Sequence, residues 1–125
     1  MTPLLFLGLS AGGGIGAATR LLLDDLISAR IRSTYPVGTI AINVSGSLLL
    51  GLLTGLVLGG VVPDGWRLVL GTGFLGGYTT FSTASLETVR LLADGRTRAS
   101  LANAVGTLVA SVIAASLGLW VGALL

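Results

Sequence analysis

The sequence predicts an all-α integral membrane protein of four transmembrane helices, the third of them broken, with no room for a soluble domain. Three observations carry this reading. The 125 residues are 53% hydrophobic and only 10% charged, with mean hydropathy +0.97, so nearly every residue must face lipid or another helix. A spanning helix needs about 20 apolar residues to cross about 30 Å of hydrocarbon, and charge-free windows occur at 1–19, 33–63, 68–86 and 99–125. The third window contains Gly73-Phe-Leu-Gly-Gly-Tyr-Thr-Thr-Phe-Ser-Thr83, a backbone-flexible, hydroxyl-rich run at membrane depth. Gly73, Gly76 and Gly77 are expected to interrupt the helical ladder there. In hydrocarbon a freed N–H or C=O is costly unless it is buried in protein or lines a polar pathway. Broken helices at the midplane are where ion sites are built.

Helix one is expected over residues 3–23. It lacks the basic leader and the small-residue cleavage site of a signal peptide, and Arg20 and Asp24 follow its apolar run directly, so it reads as a permanent helix. Gly12-x-x-x-Gly16 is a small-residue contact motif that lets another helix approach closely. A polar connection with Asp24, Asp25, Arg30 and Arg32 leads to Tyr35-Pro36, and Pro36 suits the start of helix two, 37–62. Asn43, Ser47, Gly51, Gly55 and Gly59 recur every four residues along it, a stripe that drifts by about 40° per step. The Asn43 amide has two open readings: an interhelical hydrogen bond worth about 0.6 kcal/mol, or the lining of a pathway. Val62-Pro63-Asp64-Gly65 is a tight turn, and Trp66 with Arg67 suits the interface before helix three, 66–92. Asp94-Gly95-Arg96 closes that helix, and helix four spans 100–124. It carries Asn103, Thr107 and Ser111 at i, i+4 and i+8, which reads either as helix packing or as a polar track beside Asn43 and the hydroxyls of the break. Residues 1–125 form one bundle without linker or repeat.

Composition excludes several chemistries. Without cysteine or histidine there is no disulfide, thiolate, imidazole ligand or His-based proton relay, and without lysine there is no Walker-type phosphate loop or Schiff base. The isoelectric point near 9.9 comes from a few arginines at helix ends, which is ordinary for membrane proteins, so nucleic-acid binding is not expected; with those catalytic groups missing, enzymatic activity is not expected either. What the break does offer is two kinds of ion ligand. Unwound carbonyls such as those of Gly76 and Thr79 can face a hard cation, while amides and hydroxyls of Thr80, Ser82 and Thr83 can donate to an anion. The only acid within the spans is Glu87, near the end of helix three, so a cation path would lack its usual charged ring. A small anion can instead be held by the Asn43 amide, by hydroxyls and by the positive edge of the Phe81 ring.

Gly14-Ile-Gly-Ala-Ala-Thr-Arg20, Gly38-Thr-Ile-Ala-Ile-Asn43-Val-Ser-Gly46 and, above all, Gly73 to Thr83 closely resemble the CrcB/Fluc family of fluoride channels, and the resemblance covers essentially the whole chain. It implies an antiparallel dimer of four-helix subunits in a prokaryotic inner (plasma) membrane. It also implies a structural sodium ion bound by main-chain oxygens of Gly76 and Thr79, and two narrow fluoride paths. By the same resemblance Asn43 would donate to fluoride, Phe81 would be the first ring of a phenylalanine box, and Asn103, Thr107 and Ser111 would fall on a helix-four polar track. Arg20 and Glu87 match family positions and are expected to anchor helix ends. Two positions depart from the family pattern: Ala84 stands where a second Phe is usual, and Asn103 where a Tyr is common.

The connections after helices one and three hold Arg20, Arg30, Arg32, Arg90, Arg96 and Arg98, against Arg67 alone on the other side, a bias of six to one. Arginine near helix ends sets orientation, so the chain is expected to insert one way, with both termini outside, and to pair with an oppositely oriented sister subunit rather than with itself. Two other classes compete. A small proton-coupled multidrug exporter needs a carboxylate inside the bundle, and the expected helix one has none. A non-transporting membrane assembly subunit would explain the glycine faces but would leave the aligned hydroxyls without a purpose.

Overall fold

The computed structural model describes all residues from Met1 to Leu125 and is all-helical. The first helix, α1, runs Pro3–Arg30; Thr2 caps it by accepting the Leu5 N–H at 3.2 Å, and Pro3 occupies the first turn. It is seven residues longer than the sequence indicates, because no glycine or proline lies between Gly16 and Pro36 to stop it. Asp24 and Asp25 therefore stand in its last turns rather than in a connection. Counted from Pro3, they lie more than about 30 Å along the helix, past its most apolar stretch. The second helix, α2, covers Val37–Leu58 and ends four residues before the expected 62. The stop is a Schellman motif: Gly60 takes φ +75°, its N–H donates to Val57 O at 3.1 Å, and Val61 N–H reaches Leu56 O at 2.9 Å.

The third crossing is in two pieces. The helix α3 opens at Asp64–Trp66, widens to π winding over Arg67–Leu75 and finishes at Gly76–Tyr78; α4 is Ser82–Ala93. A second Schellman motif ends α4, with Gly95 at φ +77° and Arg96 N–H on Leu91 O at 2.9 Å. The last helix, α5, covers Thr97–Leu124. The break thus falls at residues 79–81 and not at the glycines. The helix runs through Gly76 and Gly77, and the chain turns extended only at Thr79, φ −80° and ψ 160°.

The glycines have a different task. Nine of the 17 buried residues are glycine, so helix backbones, rather than large side chains, meet at the centre of the bundle. A Cβ on Gly73 would lie 2.8 Å from Leu9 O, one on Gly12 2.9 Å from Val69 O, and one on Gly16 or Gly77 would overlap the Phe74 or Gly13 carbonyl. The expected Gly12/Gly16 contact face is real, and its partner is α3. A second seam joins α2 to α5, where Gly51 faces Ala115, Gly55 faces Leu119 and Gly122, and Gly118 faces Leu48 and Leu52. Apolar side chains such as Leu22, Leu108 and Leu124 point outward, as lipid requires.

Between these seams the break changes partners. Before it, α3 packs on α1; after it, α4 packs on α5. Three helices, α1, α2 and α5, are each long and apolar enough to cross a membrane, and α3 with α4 make the fourth passage. The turns at residues 31–36 and 94–96 meet at one end, where Arg96 donates to the Thr34 hydroxyl at 2.7 Å. Arg67 lies at the other end beside Asp64, 3.5 Å away.

The seams predict a contrast between two glycines. Gly118→Ala sets a Cβ against the Leu48 carbonyl and Leu52 N–H and should lower stability by about 1–3 kcal/mol. Gly14→Ala meets no atom within 4 Å and should be neutral or stabilise by up to about 1 kcal/mol. Denaturant titration of the two variants in lipid nanodiscs measures the difference, and equal stabilities would contradict a backbone-contact seam.

Candidate ion pathway

Interrupting a helix in a membrane requires another partner for each freed backbone group. Thr80 finds both of its partners on one side chain. Its N–H donates to Asn43 Oδ1 and its C=O accepts from Asn43 Nδ2, each at 2.8 Å. Asn43 therefore substitutes for the helical ladder at the break, and it retains one amide hydrogen outside this pair. Around the clamp, Tyr78 is buried with its hydroxyl 3.0 Å from Ser45 Oγ, and the methyl of Thr79 packs where Gly46 has no Cβ. The hydroxyl of Thr80 accepts the Thr83 N–H at 3.2 Å and so starts α4. The carbonyls of Gly76 and Thr79 accept no hydrogen bond from backbone or side chain. They are two neutral, hard oxygens of the kind a small monovalent cation takes.

A groove of 820 Å³ opens beside the break between α2, α3, α4 and α5. Eight of the residues expected at a site line it: Asn43, Gly76, Thr79, Thr80, Phe81, Asn103, Thr107 and Ser111. Ser82 and Thr83 do not; Ser82 points outward near the Thr80 hydroxyl, at 3.4 Å, and Thr83 contributes its N–H to the start of α4. No lining residue is charged. An ion there would meet amides, hydroxyls and apolar walls only, an environment that can replace a hydration shell without a fixed countercharge to hold the ion. Phe81 is 87% exposed, an aromatic residue on the edge of the groove that its own subunit scarcely covers.

On α5, Asn103 is only 3% exposed, and its Nδ2 donates to Thr88 Oγ1 at 2.8 Å. The Thr107 hydroxyl lies 3.5 Å from Asn103 Oδ1, while the Ser111 hydroxyl has no partner in the subunit. Sequence reasoning missed Thr88 and Ser85, which also line the groove. Ser85 is four and Thr88 seven residues beyond Phe81, so helical spacing from the aromatic was a signal for both. It also missed Thr39, four residues before Asn43, whose hydroxyl donates to Glu87 Oε1 at 2.5 Å.

Arg20 and Glu87 lie outside the groove. The expected place of Arg20 at a helix end is corrected by the length of α1: it sits ten residues before the last one, Arg30, and its Nε donates to Gly77 O at 3.3 Å. It thereby satisfies a carbonyl next to the break. Glu87 lines a separate 330 Å³ polar pocket at the arginine-rich end with Asp24, Arg32, Arg90 and Asp94.

Comparison with known proteins places this geometry in a lineage. Residues 7–119 match the family described as CrcB-like protein, Camphor Resistance (CrcB). A protein named fluoride-specific ion channel FluC 1 from Leifsonia xyli subsp. xyli is 52% identical over 99% of this chain and 90% of its own length. Proteins named FluC 2 from Cutibacterium acnes and Mycobacterium bovis are 47% and 43% identical, covering 88% and 97% of this chain and 90% and 93% of their own lengths. A chain of four helical passages, broken beside an uncharged polar groove and matched over nearly its whole length, belongs to the CrcB-like family.

Proposed function

We propose that this protein is a subunit of a fluoride-specific channel in a bacterial plasma membrane, where passive efflux lowers cytoplasmic fluoride, and that it is not an enzyme. The observation that carries the reading is the uncharged groove at the break, in a chain whose relatives bear the name of fluoride channels. Fluoride is small and strongly hydrated, so a path for it must replace water with several donors while offering no cation to trap it. The second amide hydrogen of Asn43, the hydroxyls of Thr80, Thr107 and Ser111, the amide of Asn103 and the ring edge of Phe81 supply such contacts along one face. Liposomes loaded with fluoride and chloride and carrying the protein, with its sister subunit if it has one, should release fluoride and retain chloride. Retention of both ions by folded protein would refute the channel.

A structural sodium ion at the Gly76 and Thr79 carbonyls forms part of the proposal. Their freedom from hydrogen bonds supports it, as does the absence of any cluster of acidic residues suited to a divalent metal. Two oxygens do not complete a coordination shell, so an antiparallel partner would supply the remainder. Inside the subunit a Cβ on Gly76 would meet only Gly71 O, at 3.8 Å. Gly76→Val should therefore leave the subunit fold intact but abolish fluoride release by crowding the ion and the partner. Unchanged release from this variant would exclude a cation there.

Pairing is supported by the bare ring of Phe81, by a groove open on one side, and by Gly76 and Gly106, both exposed and without a close neighbour. Arg30, Arg32, Arg90, Arg96 and Arg98 gather at one end against Arg67 at the other, which favours a single orientation with both termini outside and an oppositely inserted sister as partner. A reporter fused after Leu125 should read outside in most copies. An even split, with full fluoride flux from the lone chain, would instead establish a dual-topology homodimer.

A further inference from the structure

Thr88 lines the groove, and buried polar side chains of the subunit converge on it and on its neighbour Glu87. Besides the Tyr78 hydroxyl, three polar side chains are buried: Thr39, Ser100 and Asn103. Thr39 holds Glu87. The other two both hold Thr88: Ser100 Oγ donates to its carbonyl and Asn103 Nδ2 to its hydroxyl, each at 2.8 Å. Its hydroxyl hydrogen is already committed to Ala84 O at 2.8 Å. A hydroxyl has one hydrogen, so toward Asn103 it can only accept. That fixes which way the Asn103 amide faces: N–H toward Thr88, carbonyl toward Thr107.

The consequence reaches the groove. With Oδ1 turned to it, the Thr107 hydroxyl has an acceptor at 3.5 Å, a long and weak bond that a passing anion can outcompete. The chain of donors therefore runs from Thr107 through Asn103 and Thr88 to Ala84, and its groove end is the loosest link. We infer that Thr88 is a positioning residue for the anion path: by accepting from Asn103 and donating to Ala84 it sets the amide orientation that leaves Thr107 available to the ion. Ala84 contributes only its carbonyl here, so the device does not depend on an aromatic at that position.

This inference rests on the fluoride-channel reading, and the test separates the two. Fluoride efflux from liposomes and thermal unfolding are measured for the full chain, together with its sister subunit if it has one, as wild type, Thr88→Val, Thr88→Ser, Asn103→Leu and the Thr88→Val/Asn103→Leu double variant. Thr88→Val keeps the shape but removes the hydroxyl, and it should slow efflux about tenfold, the scale of one hydrogen bond to a polar group, in protein that still folds. Thr88→Ser keeps both bonds and should restore most of the flux. A purely structural role would not predict that rescue together with a double variant no slower than Asn103→Leu alone. Full flux in Thr88→Val, no rescue in Thr88→Ser, or additive losses in the double variant would overturn the inference. Should the wild type release no fluoride, the channel reading fails. The Thr88–Asn103 pairing is then judged by unfolding alone: it stands if the two substitutions are non-additive and falls if they add.

Discussion

Everything in the pathway depends on the two hydrogen bonds between the Asn43 side chain and the backbone of Thr80. A peptide group released from a helix in lipid must be satisfied or the helix closes up again. One amide, reaching across from α2, presents a donor and an acceptor in the geometry that a helical neighbour would have used. Replacing it with an apolar residue would leave a donor and an acceptor without partners, at about 1–3 kcal/mol each. With the clamp in place, α3 can stop at Tyr78, two carbonyls are freed, Phe81 swings out, and α4 is redirected from α1 onto α5. The residue that sequence spacing left between packing and pathway bridges two helices across the break and also lines the groove beside it.

The glycine seams make that clamp possible. In a bilayer the helices gain little from exchanging lipid for leucine, so close backbone approach and dispersion must hold them. Gly12, Gly16, Gly73 and Gly77 bring α1 against α3, and Gly51, Gly55, Gly118 and Gly122 bring α2 against α5. These two pairs leave α4 as the segment to which the buried Thr39, Ser100 and Asn103 side chains are directed, Thr39 to Glu87 and Ser100 and Asn103 to Thr88, beside the buried Leu91. The polar groups are spent where direction matters, and the glycines where only proximity does.

Charge is kept out of this arrangement. Every groove-lining side chain is neutral, the acids other than Asp64 and most arginines collect at one end, and Arg20, the one cation drawn inward, is turned onto the Gly77 carbonyl. A neutral path suits a permeant ion better than a charged one, because binding must be strong enough to admit the ion and weak enough to release it.

Hydropathy, charge-free windows and turn residues determined that the chain is a helical membrane bundle with a disrupted third passage, since those features depend on local composition alone. The residues that line the groove were legible for the same reason: Asn43 and the Asn103, Thr107, Ser111 series stand at helical intervals, and Phe81 stands in the glycine- and hydroxyl-rich run Gly73–Thr83. Tertiary structure decided what each break signal meant. Gly73 and Gly77 carry the sequence signature of a helix breaker, yet α1 lies against them and makes them contact points, while Thr79 and Thr80, ordinary in propensity, unwind because Asn43, 37 residues away from Thr80, satisfies the N–H and C=O of Thr80. The Gly59-Gly60 stop of α2 was written locally and was overlooked. The role of Thr88 was not written locally at all, because its partners Ser100 and Asn103 reach it only once the break has turned α4 toward α5. Local sequence sets which groups need partners; only the fold decides where those partners come from.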